Sequence, residues 1–252
     1  MSRRPGLIRL ALVALFVIAW EFLARRFGNP LFIAPPSATA VATIAMLHDP
    51  ALVRALLEAL REIVTAFAIS VVVGLCIALP LGLNAFWRGA FLPLVLGLYA
   101  LPQVTLLPLF VRVFGLGPPT KIAFGATHGV FAVILAVLAA IRAMDPVLLR
   151  AATSLGASRR QLIFNVVLPS LVPNLFTGMR LAMSGVLLGV LLAELYVSTT
   201  GIGYFTQAFA NAFAPAKLFG VILLLAAIAI TLNELMRVAE RRLGRWREEP
   251  GR

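Results

Sequence analysis

The stretch MDPVLLRAATSLGASRRQLIFNVVLPS, residues 144–170, separates two apolar runs. It is rich in charged residues and in residues that start or end helices. Asp145 can cap a helix N-terminus, and Pro146 suits the first helical position because its missing N–H would have no intrahelical partner. A short helix should then run to about Leu155. Gly156 follows, the residue type that most easily takes the left-handed turn ending a helix.

The second half of the stretch predicts another short helix. Ser158 can cap its N-terminus, and Pro169 should stop it because proline cannot continue the hydrogen-bond ladder. Two short helices at an angle, placed between membrane spans, indicate a docking element. The alternative is a pair of amphipathic helices that lie on the membrane surface.

Composition excludes an ordinary soluble domain, since 61% of the 252 residues are hydrophobic. The net charge of +12 would suit nucleic acid, but most of the basic residues flank apolar runs. In that position Lys and Arg set membrane topology, so we expect a lipid-embedded chain and no nucleic-acid partner.

Six apolar runs predict an all-α polytopic membrane protein with six transmembrane helices. We assign residues 1–27 to an N-terminal tail and first span, 28–61 to an extracytoplasmic connection, 62–240 to a transmembrane domain and 241–252 to a basic cytoplasmic tail. The runs are 7–23, 63–87, 89–111, 122–141, a fifth beginning near Pro173, and 218–236.

The fifth run is short, because only 13 residues separate Arg180 from Glu194. They would make about 20 Å of helix, less than the ~30 Å of the hydrocarbon layer. Either Arg180 reaches the inner surface, or Glu194 lies at membrane depth, or both hold.

The distribution of basic residues predicts the orientation of the chain. Six spans divide the 22 Lys and Arg residues into 15 on the side of both termini and seven on the other side. The richer side should be cytoplasmic. This assignment places residues 144–170 in the cytoplasm.

Small residues recur at four-residue spacing in three of the spans, which lets helix backbones approach closely. The sequence leaves open whether these stripes pack within one subunit or between subunits. They are Ala66, Ser70, Gly74, Ala78 and Gly82; Gly125 and Gly129; and Gly185, Gly189 and Ala193.

Polar residues within spans are candidates for a solute path, because exposure to lipid would be costly. For Ser, Thr and His, a hydrogen bond within the protein is the competing interpretation. Glu194 is better suited to pairing between helices, since a carboxylate repels an anionic solute. The candidates are Gln103, Thr105, Thr127, His128, Ser184 and Glu194.

No pattern in the sequence predicts catalysis, a metal site or a cofactor. There is no Gly-rich loop ending in Gly-Lys-Ser/Thr, and His48 and His128 lie far apart without a metal-ligand spacing around them. We therefore expect a protein that is not an enzyme and that hydrolyses ATP only through a partner.

The spacing of Ala151-Ala152, Gly156, Val166 and Leu168-Pro169 resembles the EAA loop of importer-type ABC permeases. Arg150 stands where that family has a leading Glu, so an ion pair of that Glu is not implied here. The resemblance implies that the loop couples to an ATPase subunit. The implied coupling residues are Asp145, Arg150, Ala151, Ala152, Gly156, Ala157, Ser158, Arg159, Leu168 and Pro169.

Two further segments, NPLFIAPPSATAV (29–41) and AELYVSTTGIGY (193–204), narrow the resemblance to permeases of the nitrate/sulfonate/taurine/bicarbonate type. That subgroup implies a bacterial inner-membrane importer of a small anion, with two ATPase subunits and an extracytoplasmic binding protein. It also implies two permease copies, identical or different. A thiamine-precursor pyrimidine or another small organic solute is the alternative cargo. An autonomous channel or ion-coupled transporter is the alternative class.

Overall fold

The computed structural model describes the backbone of residues 4–198 and 200–243, and the side chains of 6–158, 160–172, 175–198 and 200–242. The regular elements in these residues are all helices, which confirms the predicted fold class. They are α1 (Arg4–Phe27), α2 (Pro36–Met46), α3 (Pro50–Leu83), α4 (Ala85–Ala100), α5 (Leu107–Phe114), α6 (Pro118–Arg142), α7 (Pro146–Ser154), α8 (Arg159–Gln161), α9 (Leu168–Val197), α10 (Ile202–Asn211) and α11 (Pro215–Leu243).

Five helices have the length and apolar composition of a membrane span: α1, α3, α6, α9 and α11. The pair α4 and α5, joined by a 3-10 turn over Gln103–Leu106, supplies a sixth if it is taken as one broken span. Helix α3 is longer than the predicted second span, because it starts at Pro50 and runs without a break through the end of the predicted connecting segment.

The third predicted span, 89–111, is therefore not a straight helix: α4 and the segment from Gln103 to Phe114 meet at 83°. The break falls at Pro102. Leu101, which precedes this proline, is extended (φ −64°, ψ 140°), as expected for a residue before proline. Pro93 lies inside α4 and Pro108 in the first turn of α5, so these two prolines do not end a helix.

The described helices fall into two compact units. One runs up to Ala59 and resumes from Ser198 to Ile228, and the other runs from Leu60 to Val197 and resumes at Ala229. In the first unit the ring of Trp20 packs edge-on against Phe219, with 5.7 Å between centroids. The carboxylate of Glu21, in the first span, accepts hydrogen bonds from the backbone N–H and hydroxyl of Ser37 at 3.0 and 2.8 Å, and thereby caps α2.

In the second unit α3, α6 and α9 pack through their small residues. The Ser70 hydroxyl on α3 donates to the carbonyl of Ala126 on α6 at 2.9 Å. A Cβ at Gly189 on α9 would lie 2.9 Å from the Cα of Gly125, so these two backbones touch. The three stripes thus pack within one subunit, which decides the question that the sequence left open.

Helix α9 contains the short fifth run and extends well beyond it. It has 30 residues, and the guanidinium of Arg180 pairs with the carboxylate of Glu240 near the described end of α11, at 2.9 Å. Arg180 therefore lies level with the end of the last span. Glu194 is completely buried near the other end of α9. Arg180 is thus paired and partly exposed, whereas Glu194 is enclosed by protein.

Candidate functional site

The loop between α6 and α9 begins with a capped helix, as the sequence predicts. The side chain of Asp145 accepts a hydrogen bond from the backbone N–H of Val147 at 2.8 Å. Pro146 occupies the first position of α7, where its missing N–H costs no hydrogen bond. This cap fixes the point at which the chain turns out of α6 into the loop.

Helix α7 ends in a Schellman motif centred on Gly156. The backbone N–H of Ala157 donates to the carbonyl of Ala152 at 3.1 Å, and that of Gly156 donates to Thr153 at 3.0 Å. Gly156 has φ +77°, which L side chains adopt only with strain. The bend between the two short helices thus depends on a residue without a Cβ.

The second short helix starts with a capping box. The backbone N–H of Ser158 donates to the side-chain carbonyl of Gln161 at 2.8 Å, and the backbone N–H of Gln161 donates to the Ser158 hydroxyl at 3.4 Å. Arg159 is a predicted coupling residue. Its backbone lies in α8, and its side chain lies outside the described residues.

The prediction that Pro169 stops this helix is wrong. A π-helical segment over Leu162–Val167 leads from α8 directly into α9, and Pro169 is the second residue of α9. A π turn shifts the backbone hydrogen-bond register by one residue, and such turns are a known way to accommodate a local defect inside a helix. The loop is therefore continuous with the fifth span.

The surface of this loop carries exposed apolar side chains. Leu155, beside the left-handed Gly156, is 88% exposed, and Val147, Leu148 and Phe164 are also exposed. Of the predicted coupling residues, Arg150, Ala151, Gly156 and Ser158 are exposed, whereas Ala152, Ala157, Leu168 and Pro169 are half-buried. A cluster of exposed apolar side chains on a loop that connects two spans indicates a contact surface.

Most predicted path residues bond to their own helices. The hydroxyls of Thr105, Thr127 and Ser184 donate to the carbonyls of Pro102, Phe124 and Arg180 at 2.7, 2.7 and 3.2 Å, and Nδ1 of His128 lies 3.0 Å from the carbonyl of Phe124. These bonds agree with the competing interpretation, in which the Ser, Thr and His side chains form hydrogen bonds within the protein. They do not bring the six candidates together into one polar site.

Gln103 differs from the other candidates. It lies at the break between α4 and α5, and its side-chain oxygen is buried without a hydrogen-bond partner among the described residues. A buried amide normally finds a partner, so this residue has unused hydrogen-bonding capacity at the one sharp bend of the third span.

Glu194 pairs between helices, as the sequence predicts, in a buried ionic cluster whose other members the sequence did not identify. The ammonium of Lys121 on α6 lies 2.9 Å from Oε1 of Glu62 on α3 and 3.3 Å from Oε1 of Glu194 on α9. Lys121 is 1% exposed and Glu194 0%. Glu62 and Lys121 directly precede the predicted apolar runs 63–87 and 122–141. The spacing along the chain contains no signal that would have paired them.

The cluster and the loop lie at opposite ends of the same helices. Lys121 is in the first turn of α6 and Glu194 in the last turn of α9, whereas residues 143–167 connect the other ends. At 1.5 Å per residue, the cluster is roughly 30 Å from the loop along α6. Helices α6 and α9 thus connect the cluster to the loop.

Comparison with known proteins identifies the architecture. The family profile described as "binding-protein-dependent transport system inner membrane component" matches residues 70–247, which include the whole loop. The chain belongs to this family of ABC importer permeases. The permease is thus a multi-pass inner-membrane protein, as the sequence predicts.

The relatives of the permease cover almost its entire length. The taurine transport system permease protein TauC of Escherichia coli (strain K12) is 31% identical over 99% of this chain and 92% of its own. The putative aliphatic sulfonates transport permease protein SsuC of Bacillus subtilis (strain 168) is 26% identical over 98% and 92%. The formylaminopyrimidine transport permease protein ThiX of Halalkalibacterium halodurans is 25% identical over 93% and 94%.

The permease also shares its fold with a solved transporter. A chain of the methionine ABC transporter MetNI, in an inward-facing conformation, superimposes with a TM-score of 0.68 at 19% identity, covering 76% of this permease and 95% of that chain. The similarity confirms the helical architecture.

Proposed function

We propose that this permease forms the membrane path of an ATP-driven importer and that a separate ATPase docks on the loop at residues 144–170. The observation that carries the proposal is the bent, capped helix pair with Leu155 88% exposed at its tip. Capping and the Schellman motif define the bend, and an exposed apolar side chain at that bend is suited to contact with another protein.

The basic-residue count supports a cytoplasmic position for this loop and for both termini. ATP binding would close an ATPase dimer, and the loops would transmit that movement through α6 and α9. The complex would then alternate between inward-open and outward-open states. We propose two permease copies, two ATPase subunits and an extracytoplasmic binding protein for the complete importer.

The cargo we propose is a small anion of the sulfonate or taurine, nitrate or bicarbonate class. The names of the Escherichia coli and Bacillus subtilis relatives favour the sulfonates among these. A small pyrimidine is the second candidate, favoured by the name of the Halalkalibacterium halodurans relative. Calorimetry with the binding protein that delivers solute to this permease distinguishes them: tight binding of taurine supports the first and binding of a formylaminopyrimidine the second.

Reconstitution tests the proposed mechanism. In proteoliposomes that contain the permease and its copurified ATPase, labelled taurine should enter only when both the loaded binding protein and ATP are supplied. Uptake by the permease alone under an ion gradient would instead support an autonomous ion-coupled transporter and overturn the proposal.

A further inference from the structure

The exposed face of the loop carries positive charge that nothing in the described chain neutralises. Arg150 in α7 and Arg160 in α8 are exposed, and neither belongs to any ion pair formed by the described residues. Asp145 is the only acidic residue between 144 and 170, and its side chain is already engaged in capping α7. The guanidinium of Arg160 lies 5.9 Å from the ring centre of Phe164.

Arg150 stands on the same side of α7 as the exposed apolar residues. Val147, Arg150, Ala151 and Ser154 are three or four positions apart, so they share one helical face, and all four are exposed. A partner that covers Val147 and Ala151 must also enclose or border the Arg150 guanidinium. Enclosing an unpaired cation is unfavourable, so a partner that covers Arg150 needs an opposite charge at that point.

We infer that the ATPase which docks here presents a carboxylate side chain to Arg150. The inference rests on the proposed function, since it assumes that an ATPase binds this loop. A guanidinium binds a carboxylate through two parallel hydrogen bonds, which fixes orientation as well as affinity. Arg150 thereby selects ATPase subunits with an acidic groove over those whose groove is basic.

Anionic lipid is the other source of negative charge near this loop. Helices that lie in the membrane surface present one continuous apolar face along their length. Here the exposed apolar side chains sit on both sides of the bend at Gly156, and Leu155 projects from the bend itself. This geometry is better suited to a protein groove.

Charge reversal tests the inference. The permease and its copurifying ATPase are assembled in nanodiscs, and the dissociation constant is measured at increasing salt for the wild type, Arg150→Glu and the control Arg112→Glu. Arg112 is an exposed arginine in the last turn of α5. We expect Arg150→Glu to weaken binding roughly tenfold or more at low salt and to flatten the salt dependence, with Arg112→Glu unchanged. An Asp or Glu to Arg change in the ATPase groove should restore binding to Arg150→Glu.

Three outcomes would contradict the inference, and they are distinguishable from one another. If Arg150→Glu binds the ATPase as tightly as the wild type, Arg150 has no acidic partner although the loop is a docking site. If the effect of Arg150→Glu disappears in nanodiscs of phosphatidylcholine alone and returns with phosphatidylglycerol, Arg150 binds anionic lipid and not a carboxylate of the ATPase. If the wild type copurifies with no ATPase, the proposed function itself fails.

Discussion

The ammonium of Lys121 lies 2.9 Å from a carboxylate oxygen of Glu62, two residues 59 positions apart that meet where three spans converge. Glu194 approaches the same ammonium at 3.3 Å. The second oxygen of Glu62 is buried without a hydrogen-bond partner in the described chain. Two buried carboxylates share one buried cation, so the cluster depends on Lys121 more than on either acid.

Lys121→Met should therefore destabilise the permease strongly. It leaves two buried carboxylates without their cation, and breaking a buried pair from one side costs about 3–5 kcal/mol. Unfolding in detergent, followed by circular dichroism, measures the change. Arg180→Met is the matched control, because its pair with Glu240 is partly exposed and should contribute at most about 1 kcal/mol. Equal losses for the two variants would contradict the assigned role of the cluster.

Gly189→Ala should loosen the contact between α6 and α9. Its Cβ would lie 2.9 Å from the Cα of Gly125 and 2.8 Å from Nδ1 of His128, so the backbones must separate, at a cost of about 1–3 kcal/mol. Gly97→Ala is the control: this helical glycine in α4 has open space around its Cβ position. There alanine should be neutral or stabilise the helix by up to ~1 kcal/mol. Thermal denaturation of both variants in the same detergent decides the prediction, which is wrong if they behave alike.

Gly156→Pro should abolish ATP-driven uptake while leaving the spans folded. Proline cannot reach φ +77°, so the Schellman motif and the bend must change. Gly156→Asn is the control, since asparagine tolerates the left-handed region and should retain much of the coupling. ATPase association and solute uptake are measured together in proteoliposomes. Normal association and uptake by the proline variant would show that the bend has no part in coupling.

Labelling tests the predicted orientation. In a Cys76→Ala background, which removes the single cysteine, a membrane-impermeant maleimide should label Thr200→Cys from outside spheroplasts and Ser158→Cys only after lysis. Both positions are exposed, so reactivity reports the side of the membrane. Labelling of Ser158→Cys before lysis would reverse the topology and remove the loop from the reach of a cytoplasmic ATPase.

Much of the loop was predictable because its signals are local. Asp145, Pro146, Gly156 and Ser158 act on backbone groups within four residues, and the structure has each of them in the predicted cap or turn. Pro169 misled the prediction, since a π turn before it let the helix continue. Whether a proline ends a helix depends on how the backbone upstream adjusts.

The sequence by itself determined the all-helical membrane class, the capped and bent loop, and the close-packing faces of the spans. These follow from hydrophobic length, local hydrogen bonding and four-residue periodicity. Only the tertiary structure decided that the glycine faces pack within one subunit, that the third span breaks at Pro102, and that Glu62, Lys121 and Glu194 share one site. Charges far apart in the chain are paired by the packing of whole helices, and no local pattern encodes that packing.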